Sequence, residues 1–265
     1  MRLALGVEYD GAAFRGYQTQ RHSESVQETL EQALSQVANH RVQIVAAGRT
    51  DAGVHATGQV VSFTSTAERP LRAWRQGVNS LTPAALKVRW VQSVADAFHP
   101  RYDATARRYM YLFYESDQPS PLLNSQAVRA PSLDDETMHR AAQSLLGERD
   151  FSSFRAAGCQ ARSPYRRLDR IAVFRAQSLV CVDVTANAFL LHMVRNIVGA
   201  LSEVGTGRQD PAWIVEILAA RDRGACAATA PAHGLYLVGV NYPEQDFPSA
   251  PPPGLLQALG GLDRF

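Results

Sequence analysis

Gly48-Arg49-Thr50-Asp51-Ala52-Gly53-Val54-His55-Ala56-Thr57-Gly58 lies between two runs, Val42–Ala47 and Gln59–Ser65, that read as strands. A loop of this kind is held by a sheet on either side. It presents one carboxylate, one guanidinium and one imidazole. Its glycines permit close backbone approaches that a Cβ forbids. An arginine beside Asp51 favours the ionised carboxylate, and an ionised carboxylate serves as nucleophile or general base. The plainer alternative is a tight turn in which Asp51 caps amides and Arg49 makes a surface ion pair. A phosphate-cradling loop would need a Gly-Lys-Ser/Thr ending, which is missing. His55 has no second ligand at metal spacing, so it reads as a loop histidine satisfied within the protein.

Outward from this loop the chain alternates strands and helices. Leu3, Leu5 and Val7 alternate with smaller or polar residues and predict an opening strand, closed by Asp10-Gly11. Ser25-Val26-Gln27-Glu28 fits a capping box, and Val26, Leu30, Leu34 and Val37 follow at helical spacing. A helix over about 71–79 and a strand over 86–91 complete the first half. The second half predicts strands over 107–114, 168–174, 180–186 and 235–241, with helices over 133–146, 190–204 and 211–219. This is an α+β layout with helices packed on a largely antiparallel sheet. The expected division is an N-terminal α+β half at 1–103 carrying the loop, a C-terminal α+β half at 104–242, and a proline-rich tail at 243–265, expected to be mobile.

Hydrophobic residues make up 46% and charged residues 20% of the 265, the balance of a globular protein. The apolar runs are short and broken by charge, so no membrane span is expected. The opening carries Glu8 too early for a secretory signal, and the protein is read as cytoplasmic. Cys159, Cys181 and Cys226 lack metal or disulfide spacing. Net charge is only +2, but Lys87 is the sole lysine, so 26 of the 27 basic residues are arginine. Base composition of the genome is the default cause of that bias. RNA contact is the other, because guanidinium binds phosphate and stacks on bases. Local clusters carry the RNA argument: Arg149, Arg155, Arg162, Arg166, Arg167, Arg170 and Arg175 form one. Arg101, Arg107 and Arg108, beside Tyr102, Tyr109 and Tyr111, form another.

The nine residues Gly48–Ala56 resemble the signature of the TruA family of tRNA pseudouridine synthases. Further segments extend the resemblance along most of the chain. Glu8-Tyr9-Asp10-Gly11 with Phe14-Arg15-Gly16-Tyr17-Gln18 resembles the family's opening loop, and Ala104–Tyr109 its central strand. Asp150–Phe154, Ala188–Asn196 and Ala230–Leu237 resemble three later segments. Tyr17 stands where the family has tryptophan, and Leu191 where a more polar residue would be unsurprising.

The resemblance implies a fold of two ferredoxin-like, RRM-like halves sharing one continuous, mainly antiparallel sheet, with a central basic cleft. It implies isomerisation of uridine to pseudouridine at nucleotides 38, 39 and 40 of the tRNA anticodon arm. It implies no cofactor and no metal, tRNA as the macromolecular partner, and a homodimer. Asp51 matches the family's essential aspartate and Tyr109 its active-site tyrosine. Arg49 and Arg195 match basic residues near that site, and Leu235 an apolar residue lining it. Chemically, a carboxylate adds to the uracil ring or captures ribose C1′; both routes stay open. Tyr109 stacks on the base, and proton transfer from C5 is a second role open to it. A paired uridine has to leave its helix to expose the reacting atoms. Arg49 either fills the vacated space or holds Asp51, the ion pair being preferred. For Arg195 a partly buried ion pair or phosphate contact is expected. Two competing functions are a glycosidase or nucleoside hydrolase, which pairs two carboxylates where this loop has one, and a non-catalytic RNA-binding module in which Asp51 is dispensable.

Overall fold

The structure is a computed structural model and describes residues 1–19 and 24–259. In chain order its main elements are β1 (Arg2–Tyr9), α1 (Val26–Ala38), β2 (Val45–Ala46), β3 (His55–Thr64), α2 (Leu71–Leu81) and β4 (Leu86–Val94). There follow β5 (Ala106–Glu115), β6 (Val128–Ala130), α3 (Asp135–Ala142), β7 (Gly147–Asp150), β8 (Tyr165–Ala176) and β9 (Leu179–Ala186). The last are α4 (Met193–Gly205), α5 (Trp213–Ala220), β10 (Leu235–Asn241) and α6 (Gly254–Ala258). The strands and the helices packed on them make the α+β, mainly antiparallel architecture expected from the sequence. Among the described residues no helix is long and apolar enough to cross a membrane.

The chain forms two compact units. The first comprises Met1–Thr105 with Tyr236–Pro253; the second comprises Ala106–Leu235 with the segment from Gly254. In the first unit β1 pairs antiparallel with both β3 and β4, β10 runs parallel to β3, and β2 adds a short antiparallel rung. Leu3, Leu5 and Val7 are fully buried, as their alternation predicts. Ser25 caps α1 by accepting from the Glu28 amide at 3.2 Å. Lys87 donates its Nζ to the carbonyls of Asn79 and Thr82, 2.9 Å each, at the end of α2.

The other face of this sheet is covered as well. Ala4, Ala47, Val60, Phe98, Ala104 and Tyr242 form a buried cluster, with Trp90, Val94, Val240 and Phe247 packed on it. Gly6 makes room for it: a Cβ there would stand 2.1 Å from Trp90 Nε1. The segment after Tyr242, expected to be a mobile tail, supplies Phe247, which stacks on Trp90 at 4.7 Å and meets Phe98 and Tyr242 edge-on. The proline-rich stretch therefore follows an aromatic anchor.

The second unit has strand order β5-β9-β8-β7, all antiparallel, with β6 parallel to β5. α3 packs on β8 and on α4. α4 is buried along most of its length, including Asn196. The Asn196 side chain donates to Phe154 O at 2.8 Å and accepts from Thr229 Oγ1 at 2.7 Å and Arg223 Nη2 at 3.2 Å. A buried amide satisfied in this way locks the helix to its surroundings.

The boundaries that flank the Gly48–Gly58 loop differ from the sequence reading. The strand expected over 42–47 shrinks to Val45–Ala46. The Val42 and Ile44 amides bond to Ser35 Oγ (2.9 Å) and Glu31 Oε1 (3.0 Å) on α1 instead of to a ladder. Conversely, β3 begins at His55, four residues early, because Ala56 pairs with Tyr9 and the His55–Ala56 pair runs beside Tyr236–Leu237.

Candidate active site

Asp51 is half-buried in the loop between β2 and β3. The loop is tied down on both sides. On the N-terminal side, Gln59 and Tyr9, both buried, reach Gly48 and Thr50. Gln59 Nε2 donates to Gly48 O at 2.7 Å, and Tyr9 Oη lies 2.8 Å from Thr50 Oγ1. Burial pushes the Tyr9 hydroxyl up to about 12, against the hydrogen bonds from Thr50 and Gln59, so it stays protonated. Within the loop the Val54 amide donates to Asp51 O at 3.1 Å, and Gly53 takes φ +80°.

On the C-terminal side His55 is buried and stacked on Tyr236, ring centres 4.6 Å apart. Its Nδ1 lies 3.1 Å from the Gly11 amide, which donates to it. Asp10 Oδ1 lies 3.1 Å from the same nitrogen. The opening loop closes over Thr50, whose carbonyl accepts from the Tyr17 amide at 3.0 Å. The residues that resemble the family's opening loop thus physically hold the residues that resemble its signature.

Arg49 is exposed. Its neighbour Thr50 turns inward, its hydroxyl lying 2.8 Å from Tyr9 Oη. The guanidinium charge is felt by buried Tyr17, whose hydroxyl burial raises well above its ordinary value while Arg49 opposes the shift. His55 is satisfied inside the protein, as read from the sequence.

The second unit places Tyr109 and Arg195. Tyr109 is half-buried on β5 and meets Phe189 edge-on, ring centres 5.1 Å apart and planes at 88°. Tyr111 lies two residues on and therefore on the same face of β5. It donates its hydroxyl to Pro231 O at 2.8 Å. Burial raises the Tyr111 hydroxyl, and the positive charge of Arg195 opposes that rise. Arg195, half-buried near the start of α4, donates Nε to Ala230 O at 2.8 Å, and its own carbonyl accepts from the Ala230 amide at 3.1 Å. α4 enters on His192 in the left-handed region, φ 59°. Leu235 is buried as the first residue of β10. Gly234 before it has no room for a Cβ, which would lie 2.7 Å from the Tyr111 ring.

The arginine clusters divide into internal and outward-facing members. Arg108 grips the fully buried Asp183 through Nε and Nη2, 2.8 Å each, and Arg170 adds a contact at 3.1 Å. The bond to Asp183 raises the Arg108 guanidinium further. Arg155 and Arg166 donate to neighbouring carbonyls, Arg167 pairs with Asp169, and Arg175 pairs with Glu115 and Asp135. Arg101 lies over the exposed ring of Tyr102 at 5.9 Å. Much of the charge that suggested RNA on the page serves the protein's own structure. Asp183, Gln59, Tyr9 and Thr50 were not marked as functional from the sequence. The Tyr9–Thr50, Tyr9–Gln59 and Arg108–Asp183 contacts span 41, 50 and 75 residues, so no local spacing announces them.

The family described as tRNA pseudouridine synthase matches residues 6–103 and 141–243. A tRNA pseudouridine synthase A from an Enterobacter species is 55% identical over 253 residues, covering 94% of this chain and 93% of the relative. The enzymes of the same description from Escherichia fergusonii and Salmonella arizonae are each 54% identical over 252 residues, with the same coverage. A solved archaeal box H/ACA sRNP Nop10–Cbf5 complex contains a chain that is 13% identical. The likeness covers 91% of the present chain and 50% of that one, with a TM-score of 0.34, too low to carry an argument.

Proposed function

Because the chain belongs to the tRNA pseudouridine synthase family and is an isomerase, we propose that it converts uridine to pseudouridine at nucleotides 38, 39 and 40 of the tRNA anticodon stem-loop, with Asp51 as nucleophile. The observation that carries this reading is the anchoring of the Asp51 loop. A carboxylate on a loop whose flanking residues are tied by buried hydrogen bonds on both sides is preorganised for attack on a substrate atom. The carboxylate bonds to uracil C6 or ribose C1′, the glycosidic bond breaks, the base turns, C5 bonds to C1′, and the bond to Asp51 breaks, either displaced from C1′ by C5 or eliminated from C6, which frees the carboxylate. The C5 proton then leaves.

The target uridine is flipped out of the stem, since a paired base hides these atoms. Tyr109 stacks on the flipped base, with its ring orientation set by Phe189. It is also placed in the reaction as the group that assists loss of the C5 proton. Arg195 and Leu235 contact the same nucleotide. Arg49, which is exposed, holds the Asp51 carboxylate or fills the space that the base vacates, the ion pair being preferred. The protein works as a cytoplasmic homodimer, following the family resemblance, and sedimentation of the pure protein tests that part.

Incubation with tRNA tritiated at uracil C5 tests the reaction. Tritium release without free uracil is expected. Free uracil would mean hydrolysis, and binding without release would mean an RNA-binding module. Asp51→Ala is expected to abolish release while tRNA binding persists; turnover by that variant would remove Asp51 from the role of nucleophile. Mapping the modified nucleotides in the treated tRNA tests the assignment to 38, 39 and 40.

A further inference from the structure

The β2–β3 ladder ends in an unusual way. Val45 pairs with Ser62 and Ala46 with Val61, and the Ala47 amide donates to Val60 O at 2.8 Å. The next rung would join Gly48 to Gln59. The Gln59 carboxamide takes its place: Gly48 N–H donates to Oε1 at 3.4 Å, and Nε2 donates to Gly48 O at 2.7 Å. Only one orientation of the carboxamide satisfies both contacts. Nε2 has a second proton, and Tyr9 Oη lies 3.4 Å from it. An amide nitrogen can only donate. The Tyr9 oxygen therefore accepts there, and it shares a second hydrogen bond with Thr50 Oγ1, 2.8 Å away.

Gln59 is fully buried, and Tyr9 and Thr50 are 3% and 8% exposed, so each of these groups is expensive to leave unpaired. The run Gly48–Gln59–Tyr9–Thr50 is joined by hydrogen bonds throughout. It pins the residues three and one before Asp51 at the point where the chain leaves the sheet. We propose that Gln59 and Tyr9 are positioning residues that set the place of the Asp51 carboxylate in the reaction, with Thr50 as their point of attachment to the loop. This rests on the reading of Asp51 as nucleophile.

The test measures kcat and KM by tritium release, tRNA affinity by filter binding, and thermal unfolding. The variants are Tyr9→Phe, Gln59→Glu, Thr50→Val, Thr50→Ser and, as control, Asp51→Asn. Tyr9→Phe removes one hydroxyl and no packing volume. Gln59→Glu keeps the shape but sets a carboxylate oxygen against Gly48 O. Displacing a reacting group by a fraction of its bond length to a full ångström lowers turnover by about tenfold to a hundredfold. Tyr9→Phe and Thr50→Val are expected to lose kcat in that range, with tRNA affinity within about twofold of the parent protein. Thr50→Ser, which keeps the hydroxyl, is expected to lose much less than Thr50→Val. If Gln59→Glu fails to fold, the Tyr9 and Thr50 variants carry the test. An effect confined to tRNA affinity or to unfolding temperature, with kcat intact, overturns the proposal. Should Asp51→Asn remain active, the nucleophile assignment falls and the proposal falls with it. Should Asp51→Asn be inactive while Tyr9→Phe turns over like the parent, the positioning role alone is refuted.

Discussion

At Gly11 the chain passes so close to Val54 that a Cβ would stand 2.1 Å from the Val54 carbonyl oxygen. Both groups are backbone, so neither can swing aside. The same residue donates its amide to His55 Nδ1 at 3.1 Å. Gly11→Ala therefore pushes on the C-terminal side of the Asp51 loop and loosens its imidazole anchor together. Overpacking of this kind costs about 1–3 kcal/mol. The variant is expected to lose stability in that range in a denaturant titration and to lose tritium release more steeply. Wild-type activity in a folded Gly11→Ala protein would show that the loop tolerates the displacement. The Asp10-Gly11 pair was read in the sequence as a strand terminator only. Its second use, as a spacer for Val54, depends on a residue 43 positions later and has no local mark.

At the scale of the element, β5 illustrates how one strand serves two purposes. Its alternation sends Tyr109 and Tyr111 to one face and Arg108 to the other. Arg108 there closes on Asp183 of β9, which has no exposed surface and would be an uncompensated charge without its arginines. Removing one partner of a buried, hydrogen-bonded pair costs about 3–5 kcal/mol, because the remaining charge is stranded. Part of that is discounted here, since Arg108 is about one-third exposed and Arg170 still reaches Asp183. Arg108→Ala is expected to lower stability by about 2 kcal/mol, and Asp183→Ala by more. Chemical denaturation of the two variants checks the order. A neutral Arg108→Ala would place that guanidinium outside the stabilising network and return it to the RNA-contact group suggested by its neighbours in the sequence. The elements themselves were mostly legible. Leu3, Leu5 and Val7 announce β1, Ser25 and Glu28 announce the start of α1, and β10 has the expected bounds. The strand at 42–47 was overread because its amides found side-chain acceptors on α1, an alternative that hydrophobic pattern does not contain.

At the scale of the whole molecule, the segment after Tyr242 matters through Phe247. Its ring covers Trp90 and completes the aromatic cluster on the face of the first unit's sheet that the helices leave open. Phe247→Ala is expected to cost about 2 kcal/mol, in line with loss of a partly buried aromatic, and to shift Trp90 emission towards that of a wetter indole. An unchanged denaturation midpoint would mean that the cluster stands without it. The chain's own order of residues determined the strand and helix periodicities, the α+β class and the family signature around Asp51, because each is written in neighbours along the sequence. Tertiary structure alone decided that Gln59 replaces a ladder rung, that Asp183 absorbs two arginines, and that Phe247 docks. Each of those depends on groups far apart in the chain competing for one buried partner, and burial is a property of the folded packing rather than of any stretch of sequence.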